Sequence, residues 1–176
     1  MRKVVLFIAM SLDGYIADPH GGIEWLEGQE SGANDMESYE AFVQNVDTVI
    51  MGANTYRQIV TELSPDEWVY SDFTSYVVTH TPKESTDKIR FTEEDPCQLV
   101  TRPKQETGKN IWICGGASVV KQLMKADLIE QYYINVIPTI LGNGIRLFDT
   151  FEKEKKLKLI KTRSYNGITD LVYERR

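Results

Sequence analysis

The sequence predicts an α/β domain: a mainly parallel central sheet with flanking helices, closed by a C-terminal antiparallel hairpin. Three observations carry this prediction. Short, nearly continuous apolar runs recur along the chain, and such runs suit strands buried on both faces. Segments with apolar residues at steps of three and four lie between them, which places crossover helices on the sheet faces. Near the end, "KLKLIKTRSY" and "ITDLVYERR" are joined by Asn166-Gly167, a strong hairpin signal.

The elements follow in order. Residues 3–10 read as a buried strand. Arg2 and Lys3 before the apolar run also suggest a secretory leader, but Leu12, Asp13 and Gly14 stand where a cleavage segment belongs, and the Asp-Gly turn signal fits the end of a strand. Residues 17–34, with four glycines, and 61–75, with Pro65 and several acids, read as loops inserted on one domain spanning 1–176. Residues 35–46 place Tyr39, Phe42, Val43 and Val46 on one stripe, and Asn34 with Glu37 three later resembles a capping box. Residues 47–51, 76–79 and 110–114 are further apolar strands, and 119–124 forms a second helical stripe from Val119, Val120, Leu123 and Met124. The run "IEQYYINVIP" before the hairpin is also strand-like.

Composition narrows the function. The 176 residues carry a formal charge of −6, and no Lys/Arg run exceeds a pair, so the broad positive surface that nucleic acid requires is missing. No apolar segment approaches the roughly 20 residues that span a bilayer. Cys97 and Cys114 are too far apart for a CxxC motif, which points to a reducing, cytoplasmic setting. His20, in the "DPHGG" turn, and His80 are scattered, so no transition-metal site is expected.

Two strands finish at glycine and lead into helices: "VIM" into Gly52-Ala53-Asn54-Thr55, and "WIC" into Gly115-Gly116-Ala117-Ser118. At such a junction glycine permits a tight turn, removes the Cβ that would hold a ligand away, and exposes the unpaired N–H groups of a helix start to phosphate. A third strand end, "VVTHT", offers Thr79, His80 and Thr81 without glycine. In an open α/β sheet these ends share one edge, where ligands bind. Three junctions on one edge suit an extended ligand with more than one phosphate, a dinucleotide. Strand-Gly-helix turns also arise from packing alone, and neither junction is a GxGxxG or GxxxxGK[ST] fingerprint. The residues by themselves therefore reach a nucleotide-binding α/β domain.

The motifs "IAMSLDGYIA" (8–17), "VIMGANTY" (49–56), "VVTHT" (77–81), "IWICGGASVVKQL" (111–123) and "PTILGNGIRLF" (138–148), taken in order, resemble the dihydrofolate reductase-like superfamily. Within it they are most similar to the reductase domain of the bifunctional riboflavin-biosynthesis deaminase/reductase. The resemblance implies a dihydrofolate reductase-like fold and a reductase that binds NADPH along the strand edge, with NADH not excluded. It places Ala9 and Ile16 at the nicotinamide, Gly52, Ala53, Asn54 and Thr55 at the phosphate- and ribose-facing turn, and Thr79, His80 and Thr81 beside the adenosine half. Gly115, Gly116, Ala117 and Ser118 resemble the pyrophosphate cradle. Trp25, Pro138, Leu141 and Gly142 fall on the substrate side. Ala53 stands where dihydrofolate reductases often carry the arginine that meets the 2′-phosphate, with Arg57 or Lys83 available instead. Met36 stands where they carry a helix carboxylate, beside Asp35 and Glu37.

Hydride transfer asks the protein chiefly for orientation and water exclusion, while a proton must also reach the product. Asp35 is the candidate acid, although an acid at a helix start also caps or complements the dipole. Asp13 is a second candidate, although Asp before Gly14 also forms a turn. Trp25 either stacks on a flat heterocycle or covers the core edge. The expectation is reduction of a small nitrogen heterocycle, 5-amino-6-(5-phosphoribosylamino)uracil or a pterin, by a chain compatible with a homodimer. A silent nucleotide-binding module and a dimeric interaction protein on the same fold are the alternatives.

Overall fold

The computed structural model describes residues 1–81 and 83–176. Five of the expected runs become the parallel strands β1 (Val4–Ser11), β3 (Val46–Gly52), β4 (Thr74–Val78), β6 (Asn110–Gly115) and β7 (Gln131–Ile137), and a sixth parallel strand, β5 (Ile89–Thr92), joins them at the edge. The hairpin strands β9 (Leu157–Tyr165) and β10 (Ile168–Arg175) complete an eight-stranded sheet in the order β5-β4-β3-β6-β1-β7-β10-β9. Strand β10 runs antiparallel to β7 and to β9, as the Asn166-Gly167 signal requires. The short strands β2 (Tyr15–Ala17) and β8 (Ile145–Arg146) pair separately. The fold is therefore the expected one: a mostly parallel sheet, flanking helices and a C-terminal antiparallel hairpin.

Helices α1 (Glu37–Val43), α2 (Ala53–Gln58), α3 (Pro96–Gln105) and α4 (Ala117–Lys125) cover the sheet, and α2 runs on into a π-helical turn at Ile59–Leu63. On one face Leu99 and Val100 of α3 and Val119, Val120, Leu123 and Met124 of α4 pack against Val4, Leu6, Ile50, Ile111 and Ile113. On the other, Phe42 of α1 packs against Val5, Phe7, Val49, Met51 and Trp112. The Phe7 and Phe42 rings stack at 4.3 Å, and Trp112 meets them edge-on at 6.1 and 5.5 Å. Both faces of β1, β3 and β6 are thus sealed, which is why these strands read as unbroken apolar runs.

Helix α1 is shorter than the 35–46 stripe, because Val46 already belongs to β3. Its capping box does not form. The N-cap is Met36, with no side-chain bond of its own; the Asn34 side-chain oxygen Oδ1 accepts from the Met36 N–H at 3.2 Å, and the Glu37 carboxylate pairs with Arg163 on β9 instead. Two elements between 83 and 109, β5 and α3, carry little apolar periodicity. The start of α3 is nevertheless legible as Asp95-Pro96: the Asp95 carboxylate accepts from the Cys97 and Gln98 N–H groups at 2.8 and 3.3 Å. Arg2 is buried, donating to Thr48, Asp47 and the Pro103 and Lys109 carbonyls.

Because α1 is held to the sheet mainly by Phe42, Phe42→Ala is expected to destabilise the protein by about 3–5 kcal/mol in urea unfolding. A loss under about 1 kcal/mol would show that the aromatic cluster does not anchor this helix.

Candidate active site at the strand C-termini

The parallel register brings the C-terminal ends of β1, β3, β4, β6 and β7 to one edge. There the two glycine junctions meet. A Cβ built on Gly52 would lie 3.5 Å from the Val119 side chain and 3.7 Å from the Gly116 nitrogen, and one on Gly116 would lie 3.4 Å from the Thr55 hydroxyl. These are ordinary contacts. Gly52 (φ −84°, ψ 165°) and Gly116 (φ −83°, ψ −160°) also have extended backbones that any residue adopts. Gly115 differs: its φ of 130° lies where only glycine is unstrained. Its bond to Gly116 is cis. Ala53 and Ala117 are half-buried in the first turns of α2 and α4, and Asn54 and Ser118 are exposed there.

At the end of β4, Thr79 is buried and its hydroxyl accepts from the Thr81 N–H at 3.1 Å, closing its own turn. His80 and Thr81 remain exposed beyond it. Lys83 lies over the rings of Tyr56 and Phe91, at 5.1 and 5.6 Å from their centroids, and Arg57 follows Tyr56 on α2.

On the other side of the edge, Ala9 is half-buried near the end of β1, and Ile16 is half-buried in β2. Asp13 connects two predicted regions. It accepts from the Ser11 hydroxyl at 2.7 Å and from the backbone N–H groups of Leu141 and Gly142 at 3.1 and 2.7 Å. These donors, the Ser11 hydroxyl first, hold its carboxyl below the usual carboxylate range. Pro138 is exposed just past β7, and the Leu12 N–H reaches the neighbouring Thr139 carbonyl at 2.8 Å. Trp25 is half-buried and donates to the Gly22 carbonyl at 3.2 Å. Its loop is tied to α2 by Gln58, which donates to the Gly21 carbonyl at 2.9 Å. Asp35 accepts from the Asn166 amide at 2.8 Å and so binds the hairpin turn to the segment before α1.

The family model of the RibD C-terminal domain matches residues 2–173. This chain belongs to that family. The RibD C-terminal domain here is 42% identical, over 99% of its length and 98% of the relative's, to the uncharacterized protein YwjB of Bacillus subtilis. It is 27% identical to the uncharacterized protein YyaP of the same organism, over 98% of this chain and 94% of that one. Among solved structures it superposes on a proposed riboflavin biosynthesis protein of Shewanella sp. PV-4 with a TM-score of 0.86 and 29% identity, over 99% of both chains. Acinetobacter baumannii RibD gives 0.73 at 18% identity; this chain spans 58% of it.

This RibD C-terminal domain also holds a buried carboxylate that the motifs do not point to. Asp170 on β10 is 1% exposed and accepts four side-chain hydrogen bonds: from Ser38 on α1, Asn135 and Tyr133 (3.2 Å) on β7, and Tyr165 (3.0 Å) on β9. Burial, with the Asp170 charge adding to it, pushes both tyrosine hydroxyls up, Tyr165 to about 12, so both stay protonated donors. One signal was available in the sequence. In "ITDLVYERR" the period of two puts Asp170 in phase with Ile168 and Val172, on the buried face. Among the described residues no three His, Cys, Asp or Glu side chains converge as a metal site, and no helix is long and apolar enough to cross a membrane.

Because its folded-state pKa is lowered, Asp13 stabilises the 138–142 loop above the unfolded value of about 4, and that stabilisation is lost as pH falls through the folded value. Hydrogen exchange at the Leu141 and Gly142 amides should therefore accelerate relative to the sheet below about pH 4. Asp13→Asn is expected to show the same acceleration at neutral pH. Equal protection in the variant at neutral pH would show that the loop is held otherwise.

Proposed function

We propose that this chain is a pyridine-nucleotide-dependent reductase that uses NADPH to deliver hydride to a small nitrogen heterocycle of the aminouracil or pterin class. The observation that carries this reading is the pair Gly52 and Gly116. Neither backbone conformation nor internal packing requires glycine at either position, since a Cβ there meets only ordinary contacts. What a Cβ would obstruct is something that approaches the amides from outside the chain. Two such openings, facing each other at the starts of α2 and α4, suit a diphosphate.

A bound reduced nicotinamide supplies the hydride. In this reading Gly115, Gly116, Ala117 and Ser118 receive the diphosphate from one side and Gly52, Ala53, Asn54 and Thr55 from the other. Thr79, His80 and Thr81 flank the adenosine, with Lys83 and Arg57 as the cations nearest a 2′-phosphate. Ala9 and Ile16 border the nicotinamide. Trp25, Pro138, Leu141 and Gly142 enclose the substrate and exclude water, and the Asp13 carboxylate fixes the last two by their N–H groups. Asp35 is the proposed proton donor, its second oxygen having no partner among the described residues.

The substrate class draws on relatives. A Thermotoga maritima protein described as a diaminohydroxyphosphoribosylaminopyrimidine deaminase/5-amino-6-(5-phosphoribosylamino)uracil reductase shares the fold at a TM-score of 0.71 and 16% identity, and this chain spans 57% of it. An aminouracil phosphate is accordingly the first acceptor to test, with dihydropterins second.

Gly116→Val is expected to abolish NADPH binding while leaving the thermal melting temperature nearly unchanged, because the Thr55 hydroxyl, 3.4 Å from the added Cβ, is the one neighbour it meets within 4 Å. Retained affinity would overturn the cradle assignment. Lys83→Ala should weaken NADPH binding by about tenfold, the magnitude of one charge-assisted hydrogen bond, and leave NADH binding unchanged. Equal effects on the two cofactors would remove Lys83 from the 2′-phosphate site.

A further inference from the structure

Asp170 has no basic side chain among its hydrogen-bond donors, and its role follows from what it does to Asn135. The two residues face each other across β7 and β10, and Asn135 is also in register with Ala9 on β1. Registered neighbours in a sheet project to the same face, so Ala9, Asn135 and Asp170 form one row, with adjacent strands roughly 5 Å apart. A carboxylate accepts only, and here each oxygen already has two donors: Oδ1 from Asn135 and Tyr165, Oδ2 from Ser38 and Tyr133. The Asn135 amide therefore turns its nitrogen toward Asp170. A flipped amide would set oxygen against oxygen.

This orientation leaves the Asn135 carbonyl oxygen on the side away from Asp170, toward β1. It has no hydrogen-bond partner among the described residues, yet no buried side-chain oxygen or nitrogen among them lacks a partner, so solvent reaches it. The registered neighbour in that direction is Ala9, a small side chain that is itself only half-buried.

We propose that Asp170 is a positioning residue that locks Asn135 with its carbonyl oxygen over the Ala9 end of the site, so that the pocket selects a heterocycle presenting a ring N–H there. A lactam or amino-substituted pyrimidine offers that donor, whereas a ring with only acceptors at that edge would face oxygen with oxygen. The inference rests on the reductase reading for placing the nicotinamide beside Ala9, since hydride transfer requires the acceptor ring to lie against it there. A nicotinamide carboxamide also carries N–H groups, so the experiment separates the two ligands.

The probe is 5,6-diaminouracil, titrated calorimetrically into wild-type protein, Asp170→Asn and Asn135→Leu, with NADPH affinity measured separately by tryptophan fluorescence and folding checked by thermal melting. The wild type is expected to bind the probe, and each variant to bind it about tenfold more weakly or worse, with NADPH affinity unchanged. That selective loss is what a purely structural role does not produce. No probe binding by the wild type, equal binding by Asp170→Asn, or a parallel loss of NADPH affinity would each overturn the proposal. Probe binding without NADPH binding in the wild type would instead overturn the reductase reading and leave the Asn135 assignment standing.

Discussion

Hydrogen bonding between β3 and β6 in parallel register, with Ile50 opposite Ile113 and Met51 opposite Gly115, brings two strand ends to the same height on the same edge. Strand spacing alone then sets the two helix-entry turns side by side, roughly 5 Å apart at the backbone. The register shifts once just before the site, between Ile50 and Met51, where Cys114 is passed over and Gly115 comes opposite Met51. Met51 and Trp112 face α1, while Ile50 and Ile113 face α3 and α4. The position of the site is thus a consequence of core packing, and the glycines only have to leave it open.

The remaining walls are held differently. The segment carrying Trp25, the turn at Asp13 and the loop carrying Leu141 and Gly142 bury few large apolar side chains. They are fastened by scattered hydrogen bonds: side-chain ones from Gln58 to Gly21, Asp13 to Leu141 and Gly142, and Asn166 to Glu30 and Asp35, and isolated backbone ones such as Leu12 to Thr139 and Gln29 to Asn166. Segments held by a few exposed hydrogen bonds open at lower free energy than a packed sheet. The side of the cleft assigned to the coenzyme's diphosphate is therefore set by the packed sheet, and the side assigned to the substrate by fewer and more exposed contacts.

The sequence was legible where burial on two faces left a long apolar run, as at 3–10, 47–51 and 110–114, and where turn chemistry was explicit, as at Asn166-Gly167 and at Gly115. It was opaque where the determinant was a partner remote along the chain. The capping box at Asn34 and Glu37 failed because Arg163, far away on β9, takes the Glu37 carboxylate. Strands β2 and β8, of three and two residues, are too short to show a period and exist because they pair. Asp13 read as a turn former or a catalyst, and in the structure the same carboxylate closes the turn through Ser11 and clasps a loop 128 residues on.

Asp170 shows the same limit at its sharpest. Polar residues in an alternating strand are ordinarily assigned to the solvent face, and only the phase relative to Ile168 and Val172 argues otherwise. A buried carboxylate without a bonded cation is weak support for stability, since well-packed apolar groups of similar volume often serve as well. Its nearest row neighbour on β9, Arg163, is committed to Glu37. Four neutral donors must then supply all of its solvation, which forces three elements, α1, β7 and β9, to converge on one point of β10. An apolar residue at 170 would make no such demand on those elements and would leave the Asn135 amide free to flip. What the charge contributes is direction: it makes one orientation of Asn135 the only one with every buried polar atom satisfied, at the place in the sheet that borders Ala9.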